Sequence, residues 1–236
     1  MPRPSEWYDI DLPKPDNIEL PIDGGAVQRP DPGLIERLYE VSSATAAATL
    51  HRMGIRQTYM ANPKPRVPGA KVVGPAVTLQ FMPQREDVAS GKAQEHIEKK
   101  SALWGVFDTV EAGDVLVVQA FGDPYTGTMG DMLTTYFMGR GGIGIVVDGS
   151  VRDWPKIRQM ELPIWTRGFT PNYASQTNLF PWAINVPIAC SMVLVIPGDI
   201  IIADDDGAVV VPAKLAEFVL EQTIDHEEWE VFSRLR

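Results

Sequence analysis

Short runs of apolar residues rich in Val and Ile recur along the chain, and Gly, Pro or Asp bounds each of them. Runs of this length and composition predict buried β-strands. We expect strands at 71–82, 115–120, 143–147, 188–196, 200–203 and 208–211. Helices are predicted at 86–104, 131–139 and 212–236. Because strands and helices share the sequence in this way, we predict one layered core of the α/β or α+β class.

The first thirty residues follow a different pattern. They contain six prolines, and proline disfavours regular helix and central strand because it lacks an amide donor and has a fixed φ. We therefore predict an extended N-terminal arm over 1–30, which either wraps a neighbouring subunit or is mobile. Asp31 and Pro32 are typical of a helix start and Gly54 of a helix stop, and a single domain is expected over 31–236.

The composition excludes several classes of protein. Hydrophobic residues make up 44% of the 236 positions and charged residues 22%, which excludes wholesale disorder. The net charge of −10 argues against nucleic-acid binding and favours a small ligand or a protein partner. The single cysteine, Cys190, excludes an internal disulfide, and no apolar run is long enough to span a membrane. Since the N-terminus has no signal-peptide pattern, we expect a cytoplasmic protein.

The segment 122–153 carries the candidate chemistry. It comprises a Gly-rich loop, a short helix opening at Asp131, a buried strand, a turn, and then Arg152 and Asp153. In layered folds of this kind ligands commonly bind in crevices at strand ends. These three residues are therefore the candidate site. The spacing alone leaves the alternatives of a surface ion pair and a simple helix cap open.

Each candidate group suits a chemical role. The carboxylate of Asp153 is a hard oxygen ligand for Mg²⁺ or Mn²⁺, which need only one or two protein carboxylates. The guanidinium of Arg152 matches a substrate carboxylate or an oxygen that gains negative charge. Amides in the first helical turn, those of Met132 and Leu133, attract an anion. With Asp131 beside a metal-bound water, such a site could bind a 2-oxo acid and stabilise an enolate.

The same segment resembles the RraA-like family, which includes the divalent-metal-dependent class II 4-hydroxy-4-methyl-2-oxoglutarate / 4-carboxy-4-hydroxy-2-oxoadipate aldolases. The aldolase signature of that family is an Asp, twenty intervening residues and then Arg-Asp, and Asp131 with Arg152 and Asp153 satisfies it. The stretches AGDVLVVQA at 112–120 and PGDIIIADDDGAVVVP at 197–212 support the match. The resemblance covers the chain beyond the proline-rich arm.

The resemblance implies a role for each residue of the segment. Asp153 would ligate the metal, Mg²⁺ or Mn²⁺, and Arg152 would contact the substrate and stabilise the enolate. Asp131 would lie near a metal-bound water and act in acid/base chemistry. The substrate carboxylate would be bound at the start of the helix, by Gly130, Met132 and Leu133.

The resemblance also implies a fold, an assembly and a reaction. The fold would be a layered β/β/α swivelling domain, and the assembly a homotrimer or homohexamer with sites at subunit interfaces. The reaction would be metal-dependent cleavage of a C–C bond in a small 2-oxo or hydroxy dicarboxylic acid, with oxaloacetate decarboxylation through the same pyruvate enolate. A glutamate of the C-terminal helix, Glu227 or Glu228, would join a neighbouring subunit's site.

Two other functions stay open at this point. One is a non-enzymatic regulator that binds a ribonuclease, as some family members do, and the other is a metal-assisted sugar-acid dehydratase. The intact set of Asp131, Arg152 and Asp153 favours the lyase, because a purely regulatory surface needs no metal carboxylate beside a substrate arginine. A GxGxxG pattern from Gly139 follows a helix and precedes a strand, the reverse of a dinucleotide-binding context.

Overall fold

The computed structural model describes residues 15–88, 101–174 and 178–223 of the chain. The strands in these ranges are β1 Ile22–Asp23, β2 Tyr59–Met60, β3 Lys64–Pro65, β4 Val72–Pro83, β5 Val115–Gln119, β6 Gly144–Val151, β7 Ile164–Phe169, β8 Leu179–Ile184, β9 Ile188–Cys190, β10 Val193–Val195, β11 Ile200–Ala203 and β12 Ala208–Val211. The helices are α1 Pro32–Leu38, α2 Ser43–Arg52, α3 Ala102–Asp108, α4 Asp131–Gly139 and α5 Trp154–Ile157. A 3₁₀ turn, Ala213–Leu215, leads into a further helical stretch over 216–223.

One curled sheet organises the domain and confirms the predicted α/β class. Its strand order is β2-β12-β11-β4-β5-β6-β7-β3. The neighbours β4, β5, β6 and β7 are parallel, whereas β11 and β12 continue the sheet with antiparallel pairing. The long strand β4 belongs to both parts, because 72–75 pairs with β11 and 76–80 pairs with β5. The carboxyl ends of β5, β6 and β7 therefore lie at one edge, where ligands bind in folds of this type.

The alternation of side chains along the strands separates the core into layers. Leu116 and Val118 of β5 face a cluster that contains Phe107 of α3 and Phe137 of α4. Val117 faces the opposite cluster, which includes residues of the β9–β10 hairpin. A third cluster packs α1 and α2 against β11 and β12. The strands of the central sheet are buried on both faces, which explains why their sequences are continuous apolar runs.

Two parts of the predicted strand pattern need correction. The predicted strand 188–196 is a hairpin of β9 and β10, because Ser191 and Met192 adopt positive φ values of 50° and 65° and reverse the chain. The strands β7 and β8 were not predicted. The sequence IWTRGF of β7 is interrupted by polar residues and Gly, and LFPWAI of β8 by Pro181, so neither is a typical Val- and Ile-rich run.

The predicted helices also change in extent. The helix expected between Asp31 and Gly54 is two helices, and α2 starts anew because the hydroxyl of Ser42 accepts a hydrogen bond from the amide of Thr45. In the predicted helix 86–104, α3 starts only at Ala102 and 89–100 lies outside the described residues. The predicted helix from 212 starts as a 3₁₀ turn, and its part beyond 223 is likewise outside them.

The described part of the predicted arm, 15–30, lies against its own domain. Strand β1 pairs in parallel with β8. The guanidinium of Arg29 donates to both carboxylate oxygens of buried Asp114, over 2.9 and 2.7 Å. It also donates to the carbonyl of Thr109 over 2.8 Å. This half of the arm is therefore attached to the domain by a strand pairing and a buried ion pair.

Candidate active site

The Gly-rich loop reaches the end of β6 through backbone hydrogen bonds. Gly127 forms a parallel bridge with Ser150, and the amide of Thr128 donates to the carbonyl of Ser150 over 2.9 Å. The amide of Arg152 donates in turn to the carbonyl of Met129, also over 2.9 Å. The loop thus runs beside the strand end. This pairing brings the start of α4 next to Arg152 and Asp153, despite the twenty residues that separate them in sequence.

Gly130 allows the predicted residues to approach each other closely. It precedes α4 in an extended conformation, with φ −123° and ψ −171°. A Cβ atom placed there would lie 2.4 Å from Oδ2 of Asp153 and 2.8 Å from Nε of Arg152. Any side chain at this position would displace both groups. Gly130, one of the predicted substrate-binding residues, must therefore lack a side chain if Arg152 and Asp153 are to keep these positions.

Asp153 lies between β6 and α5 in the left-handed conformation, with φ 56° and ψ 28°. Its carbonyl accepts from the amides of Lys156 and Ile157 at the start of α5, over 2.9 and 3.1 Å. Its carboxylate lies 3.4 Å from Nε of Arg152, and the two side chains are 34% and 36% exposed. The backbone of Asp153 is thus fixed by the helix, whereas its carboxylate stays accessible.

Asp131 is paired with a lysine that the sequence analysis missed. The ammonium of Lys156, on α5, donates to Oδ2 of Asp131 over 2.8 Å. This hydrogen bond lowers the pKa of Asp131 below its ordinary value of 3.8 and, with the attraction of the carboxylate, raises the pKa of Lys156 above 10.5. No local pattern in the sequence marks this pair, because 25 positions separate Asp131 and Lys156 and the contact depends on the packing of α4 beside α5.

The two predicted amide donors differ in their surroundings. The amide of Met132 donates to Oδ1 of the neighbouring Asp131 over 3.0 Å. The amide of Leu133 has no acceptor among the described residues. Because the first amides of a helix lack intrahelical partners, the amide of Leu133 can donate to an external anion.

A cavity of about 430 Å³ adjoins these groups, and we call it the site cavity. Arg152 is the charged residue among its lining, and the guanidinium of Arg152 lies 5.6 Å from the ring centre of Tyr173. The remaining lining is apolar, aromatic or small: Leu103, Trp104, Gly127, Thr128, Met129, Gly130, Met132, Leu133 and Ala174. A small molecule can therefore place an anionic group at Arg152 and extend into the cavity.

The carboxylates here suit a divalent cation that keeps most of its water. No group of three or more His, Cys, Asp or Glu side chains lies together in the part of the chain that the structure describes. Asp131 and Asp153 both lie near the ammonium of Lys156, which donates to Asp131 over 2.8 Å and whose pKa both carboxylates raise. One or two carboxylates are what Mg²⁺ usually takes from a protein, the other ligands being water and substrate oxygens. The donor set therefore fits such a metal, and Glu227 and Glu228 lie outside the described residues.

A family model described as Aldolase/RraA, RraA-like, matches residues 37–210. The chain belongs to the RraA-like family. A crystal structure of Streptomyces coelicolor RraAS2, described as an unusual member of the RNase ES inhibitor RraA protein family, is 54% identical with a TM-score of 0.82. The match covers 89% of this chain and 99% of that one. The RraA-like assignment and the fold predicted from the sequence are thus confirmed.

Two further relatives differ in length and name. A protein of Halalkalibacterium halodurans named "Putative 4-hydroxy-4-methyl-2-oxoglutarate aldolase" is 35% identical over 159 residues, which are 67% of this chain and 68% of that protein. The protein DlpA of Legionella pneumophila is 29% identical over 194 residues, which are 82% of this chain. This chain spans only 30% of the length of DlpA. RraA-like relatives thus include proteins named for a small-molecule reaction and proteins named for ribonuclease inhibition.

The described residues contain no helix that is both long and apolar enough to cross a membrane. The metal, the homotrimer or homohexamer and the cytoplasmic location stay predictions.

Proposed function

We propose that this RraA-like protein is a divalent-metal-dependent lyase that cleaves a C–C bond of a small 2-oxo acid through a pyruvate enolate. The observation that carries the proposal is the convergence of Asp131, Arg152 and Asp153 beside the site cavity, with Gly130 leaving just enough space between them. The name of the Halalkalibacterium relative supports a reaction of this class. The relevant substrates are oxaloacetate and compounds similar to 4-hydroxy-4-methyl-2-oxoglutarate.

Groups at the start of α4 and the end of β6 bind the substrate and stabilise the negative charge of the enolate. The free amide of Leu133 receives the substrate carboxylate, and the guanidinium of Arg152 faces the 2-oxo oxygen. When the C3–C4 bond breaks, its electron pair moves into the enolate and negative charge grows on that oxygen. A planar, permanently cationic donor stabilises this charge more than the neutral ground state, which lowers the barrier.

Proton transfer belongs to the carboxylate of Asp131. In a retro-aldol step it takes the proton of the C4 hydroxyl, and it returns a proton to C3 of the enolate to give pyruvate. The ammonium of Lys156 keeps the carboxylate of Asp131 ionised and in position, and the same hydrogen bond makes this carboxylate a weaker base because it lowers the pKa of Asp131. Oxaloacetate needs no hydroxyl proton removed, because CO₂ leaves when its C3–C4 bond breaks, and water supplies the proton that C3 of the enolate then takes up.

Asp153, with Asp131 beside it, would hold the Mg²⁺ or Mn²⁺ ion. A bound divalent ion supplies Lewis-acid polarisation of the substrate oxygens and adds to the charge stabilisation by Arg152.

The test measures pyruvate release from oxaloacetate and from 4-hydroxy-4-methyl-2-oxoglutarate after treatment with a chelator, and again after Mg²⁺ or Mn²⁺ is added back. We expect metal-dependent release by the wild type and a loss of about 100-fold or more in Asp153→Asn. Asp206→Asn, at an exposed aspartate of the β11–β12 turn, is the matched control and should retain activity. Metal-independent release, or full activity of Asp153→Asn, would refute the proposal.

The second candidate is a protein that regulates a ribonuclease by direct contact. The observation in its favour is the 54% identity to RraAS2, whose description places it in an RNase ES inhibitor family. Titration of this protein against RNase ES, with RNA cleavage as the readout, tests this candidate. Inhibition that persists in Asp153→Asn, together with no pyruvate release by the wild type, would favour the regulator over the lyase.

A further inference from the structure

Lys156 contacts both aspartates of the candidate site. Its ammonium donates to Oδ2 of Asp131, the first residue of α4, over 2.8 Å. Its backbone amide donates to the carbonyl of Asp153 over 2.9 Å. One residue thus joins the two positions, Asp131 through its side chain and Asp153 through its backbone.

The packing of α5 holds the backbone of Lys156 in place. Trp154, the first residue of this helix, stacks on Phe169 of β7, with 4.6 Å between the ring centres and 20° between the planes. The guanidinium of Arg66 lies 5.0 Å from the centre of the Phe169 ring. Because these contacts fix the helix, the ammonium of Lys156 reaches Asp131 from a preformed position.

The two carboxylates differ in how their oxygens are engaged. Oδ1 of Asp131 accepts from the amide of Met132 over 3.0 Å, and Oδ2 accepts from Lys156. The side chain of Asp131 is only 17% exposed. The carboxylate of Asp153 is 34% exposed, and its 3.4 Å contact with Arg152 is longer than an ordinary N–H···O hydrogen bond. Asp153 therefore offers a cation the more accessible oxygens, whereas each oxygen of Asp131 already has a donor.

Lys156 also changes the charge that a cation meets here. Arg152 and Lys156 carry two positive charges, and Asp131 and Asp153 carry two negative ones. A divalent cation is attracted more strongly when one of the positive charges is removed. The side chain of Lys156 is 70% exposed, and an ion pair at such an exposed position adds little to folding stability. The pair therefore affects ligand binding more than it affects the fold.

We propose that Lys156 is a positioning residue that keeps the carboxylate of Asp131 out of direct contact with the metal, so that Asp153 is the carboxylate that ligates it. This inference rests on the proposed lyase function and assigns separate roles to its two aspartates. Asp131 stays available to accept and return protons. Without Lys156, Asp131 turns toward the cation, which then binds more tightly while proton transfer loses its base.

The test measures binding of Mn²⁺ alone to the full-length protein, with electron paramagnetic resonance of the free ion as the readout. Lys156→Met keeps the length of the side chain but removes its charge and donors, and we expect Mn²⁺ to bind about five times more tightly. Lys156→Arg keeps a cationic donor and should stay within about twofold of the wild type. Arg158→Met removes a cation from an exposed position at the end of α5, and this matched control should also stay within about twofold. Unchanged or weaker binding by Lys156→Met would overturn the proposal.

A double-mutant cycle with Asp131→Asn separates direct ligation from charge repulsion alone. If Lys156 only repels the cation, Asp131→Asn weakens Mn²⁺ binding by the same factor with and without the lysine. If Asp131 becomes a ligand once the lysine is absent, Asp131→Asn weakens binding at least about three times more in Lys156→Met than in the wild type. We expect the second result, and equal factors would refute the proposal.

Turnover provides a readout that a purely structural role would not move. Lys156→Met should lower kcat for 4-hydroxy-4-methyl-2-oxoglutarate by about tenfold or more, because Asp131 no longer accepts the hydroxyl proton. Oxaloacetate decarboxylation needs no such proton transfer and should fall less, and the urea midpoint should be unchanged. Equal losses with both substrates would mean that Lys156 does not act through Asp131.

The same measurements separate the failure of this inference from that of the lyase proposal. If the wild type releases pyruvate with Mn²⁺ but Lys156→Met binds the ion no more tightly, the lyase stands and the role of Lys156 is wrong. If Lys156→Met binds Mn²⁺ more tightly but the wild type releases no pyruvate, the role of Lys156 at the metal stands and the lyase is wrong. If neither protein binds Mn²⁺, both are wrong.

Discussion

The protein contains two arginine–aspartate pairs, Arg29 with Asp114 and Arg152 with Asp153, which have the same chemical groups but different surroundings. In the pair of Arg29 and Asp114, two parallel hydrogen bonds of 2.9 and 2.7 Å join the groups, and the aspartate side chain is completely buried. The carboxylate also accepts from the amide of Glu111 over 2.8 Å. In the pair of Arg152 and Asp153, one contact of 3.4 Å joins side chains that are each about one third exposed.

The difference lies in how much hydrogen-bonding capacity is already used. Arg29 donates to a carboxylate and to two backbone carbonyls, and it holds the arm on the domain. Arg152 lines an open cavity, and the carboxylate of Asp153 beside it is about one third exposed, so both side chains retain hydrogen-bonding capacity. A structural ion pair satisfies its partners within the protein, whereas a binding pair keeps capacity for a ligand. An arginine close to an aspartate is common to both pairs, and the two cases differ in whether the hydrogen-bonding groups already have partners within the protein.

The strongest test of the structural pair is Asp114→Asn. Removal of a buried charge partner leaves Arg29 without its main acceptor, so the free energy of unfolding should fall by about 3 kcal/mol. Urea unfolding measures this change. Glu111→Gln is the control, because Glu111 is 3.0 Å from the same guanidinium but 68% exposed, and it should cost about 0.5 kcal/mol or less. Equal effects of the two substitutions would contradict the comparison.

The close approach at the functional pair is tested by Gly130→Ala. The extended backbone at Gly130 accepts any residue, so the effect must come from the new Cβ, which would lie 2.4 Å from Oδ2 of Asp153. Displacement of reacting groups by about 1 Å can cost 100-fold, and we expect a fall of that order in kcat/KM. Gly139→Ala, whose Cβ would meet nothing within 4 Å, should leave kcat/KM unchanged. Similar kinetics for both variants would exclude a steric role for Gly130.

The donor geometry of the functional pair is tested by Arg152→Lys. An ammonium keeps the charge but lacks the planar fork of donors, so kcat should fall by well over about tenfold while the fold is retained. Steady-state kinetics on oxaloacetate measures this. Arg158→Lys, at an exposed arginine of the next helical turn, is the control. A change in KM alone would mean that Arg152 binds substrate and transition state equally.

The layered fold was predicted from the sequence, as were candidate site residues that the structure brings together, but the aromatic walls of the cavity were not. Continuous Val- and Ile-rich runs predicted the buried strands because both faces of the central sheet are covered. The spacing of Asp131 and Arg152 alone left other interpretations open, and the structure brings the two residues together because a helix, a turn and a parallel strand return the chain to the same edge. The apolar runs are local features of the sequence, and the return of the chain depends on a single helix–turn–strand unit.

The remaining features depend on contacts between distant parts of the chain. Trp104 and Tyr173 border the same cavity although 69 positions separate them, and no periodicity links the two. The break in the predicted strand 188–196 has a similar cause, because the carboxylate of Asp148 accepts from both the amide and the hydroxyl of Ser191, over 3.0 and 3.1 Å. Such tertiary hydrogen bonds override local strand propensity.

The carboxylate of Asp199 is a third case to compare with those of Asp114 and Asp153. Its substitution is expected to have the smallest effect of the variants discussed. This carboxylate accepts from the amides of Ile196 and Ala213 over 2.9 and 3.1 Å, and no cation is paired with it among the described residues. Burial raises the pKa of Asp199 above its ordinary value of 3.8, and the two amides oppose this shift. A carboxylate with a raised pKa stabilises the folded state below the ordinary pKa, and this contribution is lost as the pH rises through the folded pKa.

Asp199→Asn removes this titrating group, so the variant does not lose the contribution that the wild type loses as the pH rises. The unfolding free energy of the variant minus that of the wild type should therefore increase by about 1 kcal/mol between about pH 4 and about pH 7. Urea midpoints at the two pH values give the difference, from which any constant cost of the amide side chain cancels. Asp206→Asn, at an exposed aspartate, should show no such pH dependence. A relative stability that fell as the pH rose would mean that the folded protein favours the ionised form, as it does where a cation is paired with the carboxylate. Hydrogen bonds from backbone amides alone would then be enough to keep a buried carboxylate charged.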